Sequence, residues 1–203
     1  MAVPVAPNVF AKFRNSLVGP RDTIVLPAAS DRVDYEGELA VVIGRTCRRV
    51  APQAAMDYVA GAFPLNDVSA RDLQLQVSQW TTGKAIDTFA PCGPELVLLD
   101  EAGDLGGLTL ITRVNGEVVQ HASTAGMIFG VREVVAFLSQ TMTLVPGDII
   151  ATGTPSGVGF ARTPPLFLRE GDTVEVEIGG LGAVSNRVAL EPARYLAAVP
   201  LAQ

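Results

Sequence analysis

The chain has 203 residues, 48% of them hydrophobic, and a formal net charge of −6. That length suits one catalytic domain spanning 1–203 with a substantial core, and basic residues scattered along the chain argue against nucleic acid as a partner. No segment approaches the roughly 18–20 apolar residues of a membrane span, Met1–Phe10 holds no charged signal region, and Cys47 and Cys92 lack CxxC spacing, so a cytoplasmic protein without a membrane partner is expected.

The first stretch, 1–27, is loop-rich, with prolines at 4, 7, 20 and 27, and Phe10-Ala-Lys-Phe-Arg14 reads as a surface segment packing its rings inward. Asp31–Gly44 reads as one strand with acids at its start. Successive strand side chains alternate between faces, so Glu36 and Glu38 share one. That pair alone suits either a solvated strand edge or a cation site. Pro52–Ala60 is expected to be helical, with Pro52 in its first turn and Gly61 just past its end, and 62–68 to return as a strand ending in Asn66-Asp67. A polar turn or short helix follows at 69–77, then Trp80, Lys84 and Asp87. Asn115-Gly116 between strand-like 108–114 and 117–120 is a hairpin signal. Val131, Val134, Val135 and Leu138 fall at helical spacing in 131–140. Ile149–Thr152 is a short strand, Gly153–Phe160 a Gly-rich loop, and 173–178 and 183–190 the last strands before a short tail after Pro192. Strands outnumber helices and hairpins outnumber βαβ units, which argues α+β.

The Gly-rich loop lacks the Gly-Lys-Ser/Thr and GxGxxG patterns of nucleotide cradles, and Ser156 does not sit in GxSxG. The single histidine, His121, reads as exposed or packed, and one histidine with two distant cysteines makes no zinc spacing. Oxygen chemistry is left. Glu36, Glu38, Asp67, Asp72 and Asp87 stand at the ends of strand-like runs, and carboxylate sets suit Mg²⁺ or Mn²⁺.

Five segments appear together and in order: 34–44 (Asp-Tyr-Glu-Gly-Glu-Leu-Ala-Val-Val-Ile-Gly), 66–74 (Asn-Asp-Val-Ser-Ala-Arg-Asp-Leu-Gln), 84–94 from Lys84 to Pro94, 114–120 (Val-Asn-Gly-Glu-Val-Val-Gln), and Pro146-Gly-Asp with Thr152-Gly-Thr-Pro-Ser-Gly-Val-Gly159. In this the chain resembles the fumarylacetoacetate hydrolase family. The resemblance runs from about Phe10 to Val188. It implies a β-rich α+β fold of mixed sandwich or barrel-like form with a few short helices, in a homodimer. It also implies Glu36, Glu38 and Asp67 as ligands of Mg²⁺ or Mn²⁺. Lys84, the expected catalytic residue, and Gln74 match residues holding the substrate's oxygens, and Thr154 a further substrate contact. Arg71, counted with the substrate side, is expected to brace the metal aspartate more than to touch substrate.

One departure stands out. Family members carry Asn-Tyr-x-x-His-x-x-Glu ahead of Phe-x-Lys, and its His and Glu activate water. Here Phe10-Ala-Lys12 follows Met1 closely and no histidine precedes His121. The expected function is metal-dependent action on a small 2-oxo acid through an enolate, as C–C hydrolysis of an acylpyruvate-type substrate or decarboxylation of an oxaloacetate-type one. Isomerisation of a 2-hydroxy-diene-dioate is the alternative, and a catalytically weak metal-binding homologue a second. Hydrolysis depends most on a base for water, a contribution of roughly 10²–10⁴-fold. Phe13, Trp80, Phe89, Phe129 and Phe160 are candidates for either substrate wall or core.

Overall fold

Two sheets dominate the computed structural model, which describes residues 4–192; the extreme start of the loop-rich segment and the tail after Pro192 lie outside the described residues. The four-stranded sheet runs Ile149–Ala151, Gly37–Ile43, Val59–Asn66, Val97–Leu98, antiparallel throughout. The five-stranded sheet runs Glu117–Ser123, Thr109–Val114, Thr173–Ile178, Gly182–Leu190, Ile24–Leu26, with only the last pair parallel. A short ribbon pairs Val33–Asp34 with Ser69–Ala70. The fold is α+β, and its longest helix among the described residues is Val131–Thr141. None of those helices is long and apolar enough to cross a membrane.

Burial follows the strand periods. Thr173–Ile178 alternates half-buried and buried residues, as a strand with one solvated face does. Gly37–Ile43 is buried on both faces except at Val42, which is why its sequence is a continuous apolar run rather than an alternation. Leu39, Val41 and Ile43 pack with Val131, Val134, Val135 and Leu138 of the helix, while Ala40 packs with Phe63 and Leu65. A second core joins Ile24, Tyr35 and Phe89 to Val174 and Val188 of the five-stranded sheet. Each such aliphatic side chain, taken from water, stabilises by about 1.5–3 kcal/mol. Phe89 is therefore core, not substrate wall.

Two expected elements come out differently. The acidic strand is two strands, broken at Tyr35–Glu36, because local side chains take up the backbone donors there. Glu36 N donates to Asn66 Oδ1 at 3.0 Å and Tyr35 N to Asp34 Oδ1 at 2.8 Å. The expected helix 52–60 is a 3₁₀ helix, Pro52–Tyr58, and the chain is already extended from Val59. Gly61 is no helix stop. It pairs with Leu98, and a Cβ there would lie 2.2 Å from Val97 O, so glycine admits a neighbouring backbone.

Gly37, between the two glutamates, has the same kind of role. A Cβ on it would lie 2.2 Å from Thr112 Oγ1, where the two sheets meet. Gly37→Ala is expected to lower stability by about 1–3 kcal/mol through overpacking. Adding Thr112→Ala, which removes the clashing hydroxyl, should recover most of that loss in thermal unfolding. An additive double variant would show that the collision is not what Gly37 avoids.

Candidate active site

The strand break, the end of Val59–Asn66 and two short helices deliver one buried charge cluster. Carboxylate oxygens of Glu36, Glu38 and Asp67 lie within 4.8 Å of one another, and all three residues are buried. Asp67 arrives there because its N–H donates to Glu36 O at 2.8 Å just past the strand end. Helix Arg71–Leu75 brings Arg71 and Gln74, and helix Thr81–Lys84 ends on Lys84. A Cβ on Gly83 would lie 2.5 Å from Gln74 N, so that glycine lets the two helices touch.

Lys84 Nζ sits 2.8 Å from both Glu36 Oε2 and Asp67 Oδ2. Two of its three N–H groups are thus engaged, and the third has no hydrogen-bond partner among the described residues, which leaves it for a ligand oxygen. Lys12, expected at the surface, also enters the cluster. Its Nζ donates to Asp67 Oδ1 at 2.6 Å, to Val68 O at 3.1 Å and to Lys84 O. With all three N–H groups used, Lys12 acts through Asp67 and the backbone. The Phe10-Ala-Lys12 spacing was the available signal. It is legible afterwards in Phe10, whose ring lies 5.0 Å from Lys84 Nζ and 5.6 Å from the Trp80 ring.

Arg71 behaves as a brace. Nε donates to Asp34 Oδ2 at 2.9 Å, Nη1 donates to Gln74 Oε1 at 3.0 Å, and Nη1 lies 2.5 Å from Glu36 Oε1. Its guanidinium stacks 5.0 Å over Phe160. Asp34, unassigned from sequence, ties this brace to the Gly-rich loop by accepting from Gly159 N at 2.7 Å and Phe160 N at 2.9 Å. The same loop touches the triad where Gly153 N donates to Glu38 Oε2 at 2.8 Å and Thr154 Oγ1 donates to Gly37 O at 3.0 Å. Asp72 and Asp87 stay outside, held by Ser30 and Asn15 at 2.6 Å each. His121 is exposed on its strand, Phe13 is exposed, and Phe129 packs on the first core.

The electrostatics are uneven. Burial opposes the Asp67 charge, but Lys12 and Lys84 outweigh it and hold its pKa below the ordinary range. Burial likewise opposes the Lys84 charge, and Asp67 with Glu36 overcome it and raise its pKa. Glu38 has no ion-pair partner among the described residues, and burial followed by repulsion from Asp67 and Glu36 pushes its pKa well up. A buried carboxylate beside two others, stabilised by one backbone N–H, is a poor site for a proton-free acid unless a cation joins it. The donor set is all oxygen, so the residues fit a hard divalent cation.

A profile described as the fumarylacetoacetate (FAA) hydrolase C-terminal family matches residues 1–189. The mitochondrial oxaloacetate tautomerase FAHD2A of Homo sapiens is 49% identical over 188 residues, covering 92% of this chain and 60% of that protein. The fumarylacetoacetate hydrolase domain-containing protein 2 homolog of Dictyostelium discoideum is 49% identical over 199 residues, covering 93% and 65%. The chain therefore spans about 60–65% of the length of these curated relatives. Among solved structures, the 2-hydroxyhepta-2,4-diene-1,7-dioate isomerase of Mycobacterium marinum superposes with a TM-score of 0.86 at 45% identity, covering 93% of this chain and 71% of that one.

Proposed function

The chain belongs to the fumarylacetoacetate hydrolase family, and from that premise we propose that it is an enzyme catalysing enol–keto tautomerisation of a small, oxaloacetate-type 2-oxo acid. The observation that carries this reading is the joint burial of the Glu36–Glu38–Asp67 triad with a Lys84 ammonium that keeps one N–H unused. The tautomerase relative, at 49% identity, directs it to oxaloacetate chemistry. Mg²⁺ or Mn²⁺ held by Glu36, Glu38 and Asp67 would supply Lewis acidity toward the two adjacent substrate oxygens.

The protein's own residues do the rest. Lys84 Nζ faces the developing negative charge with its free N–H, an electrostatic contribution that gains from exclusion of water. Arg71 turns its charge to Asp34 and Glu36 and orients Gln74, so Gln74 meets the substrate from a fixed rotamer. Thr154 offers its hydroxyl beside the glutamate strand. The second reading, isomerisation of a 2-hydroxy-diene-dioate, is favoured by the likeness to the M. marinum isomerase. It uses the same proton shift along a longer carbon chain. A homodimer accords with the family, and two free cysteines suit a reducing compartment, cytoplasmic or mitochondrial.

The test follows the enol absorbance of oxaloacetate with Mg²⁺ or Mn²⁺ present, while pyruvate is assayed in parallel. Faster enol decay than with metal alone, without pyruvate, is the expected result. Pyruvate formation at the same rate would replace tautomerisation by decarboxylation. Absence of any acceleration in protein that binds the metal would sink the enzymatic reading.

A further inference from the structure

The hairpin segment 114–120 belongs to the pattern by which the family is recognised, yet the triad and its cations use none of it. Its last residue, Gln120, is 2% exposed and lies on a strand where alternation would turn it outward. Val118 is exposed and Val119 buried, so the next residue should face solvent. A register shift between Val118 and Gln120 inserts Val119 as an extra residue, and Gln120 turns inward opposite Thr112. Re-aiming a side chain is what such bulges do near functional sites.

Every hydrogen of the Gln120 amide is then used. Oε1 accepts from Gly37 N at 3.0 Å, and Nε2 donates to Thr154 Oγ1 at 2.8 Å and to Pro155 O at 3.0 Å. One side chain therefore holds the residue between the two glutamates and, at the same time, the loop residue expected to meet substrate. The loop is pressed onto the bulge. At Gly157, with φ +107, a Cβ would lie 2.4 Å from Val119 O.

We propose that Gln120 is a positioning residue for Thr154, and this rests on the 2-oxo acid reading above. The Gln120 amide occupies one lone pair of Oγ1. The hydroxyl hydrogen must point away from it, to Gly37 O at 3.0 Å beside the triad. A ligand oxygen held at the triad competes with Gly37 O for that hydrogen, and finds the hydroxyl in place. Without the amide donor the hydroxyl is free to rotate and the loop residue is no longer tied to the glutamate strand. Donation into Oγ1 also strengthens its own O–H as a donor.

The test is a double-variant cycle on Mn²⁺-loaded protein, reading oxalate affinity by calorimetry and Mn²⁺ affinity by electron paramagnetic resonance. Thr154→Val is expected to weaken oxalate roughly tenfold, the scale of one hydrogen bond to a charged group. Gln120→Glu keeps an acceptor for Gly37 N but reverses the polarity toward Thr154, and should weaken oxalate by a similar factor. The double variant should bind no more weakly than either single one, with Mn²⁺ affinity unchanged in Thr154→Val and in the neutral Gln120→Met variants. Gln120→Met, which fills the space without polar atoms, provides a second arm of the same cycle. Additive losses, or unchanged oxalate binding in both Gln120 variants, would overturn the proposal. Intact oxalate coupling in a protein that fails to turn over enol-oxaloacetate would instead overturn tautomerisation and leave the role of Gln120 standing.

Discussion

Glu38→Gln and Asp67→Asn are expected to move the metal-free protein in opposite directions while both abolish divalent binding. Asp67 carries two buried ammonium groups, Lys12 at 2.6 Å and Lys84 at 2.8 Å. Removing its charge strands them, and breaking a buried pair in this way costs about 3–5 kcal/mol. For a domain of this size that is a fall in Tm of roughly 6–20 °C. Glu38 is the reverse case. Burial and two neighbouring acids work against its charge, with only the nearby Lys84 charge and the Gly153 N–H to offset them. Its folded pKa is raised, so the native state binds the extra proton. Its contribution is fully present below the ordinary glutamate value and is lost as pH rises through the raised one. Glu38→Gln should therefore approach wild type in acid and exceed it increasingly as pH rises. Asp67, with a lowered pKa, contributes stability present above the ordinary aspartate value and lost as pH falls through the lowered one. Divalent uptake must also displace the Glu38 proton, so affinity should climb with pH. Each loss of metal affinity should exceed the roughly 10–100-fold that follows loss of an outer-shell partner. Thermal unfolding across pH, with and without Mn²⁺, reads all of this. A Glu38→Gln protein that still binds Mn²⁺ as wild type does would remove Glu38 from the ligand set.

Lys84→Met should separate charge balance from chemistry. Losing the ammonium that Glu36 and Asp67 share is expected to destabilise the metal-free protein by about 3 kcal/mol, toward the low end for a broken buried pair because Arg71 and Lys12 remain. Saturating Mn²⁺ should restore most of that loss, since a cation that binds only the folded state stabilises by mass action. Enol turnover should nevertheless fall by about 10²–10³, the scale of removing one donor aimed at developing charge. Lys84→Arg should not rescue it, because a planar guanidinium cannot place a compact charge between two carboxylates 2.8 Å away. Turnover within tenfold of wild type in metal-restored Lys84→Met would reduce Lys84 to a counterion.

Charge balance accounts for the cluster's composition. Four buried acids, Asp34, Glu36, Glu38 and Asp67, face three buried or nearly buried cations, Arg71, Lys84 and Lys12. One carboxylate is left over, and it is the one without an ion-pair partner. A site balanced in this way is expected to keep its fold without the metal and still to have charge with which to bind it.

Local chemistry made much of this readable along the chain. Asn115 and Gly116 both take positive φ, 52° and 84°, as the hairpin signal required. Helix Val131–Thr141 follows its apolar spacing to within a residue of the expected end. The α+β class followed from strand and hairpin counts, and Glu36, Glu38 and Asp67 do converge. These features depend on periodicity, turn residues and the acids at strand ends, all of which are properties of short stretches.

What the tertiary structure alone decided depends on contacts between distant segments. Lys12 reaches Asp67 across 55 residues, and Asp34 reaches Gly159 across 125. The Phe10-Ala-Lys12 spacing marks the segment, but nothing near Lys12 shows which distant acceptors it meets. Gly61, expected as a helix stop, instead sits in the strand after the 3₁₀ helix Pro52–Tyr58 and admits the Val97 backbone, a neighbour invisible in its own window. Gln120 is the sharpest instance. Alternation predicts it outside, and one inserted residue in the ladder brings it in. The sequence by itself determined the fold class and which residue types could chelate. Packing between the two sheets decided which charges are paired, which carboxylate is left over, and which side chain holds the loop against the glutamates, because burial and pairing are set by neighbours that the chain brings from far away.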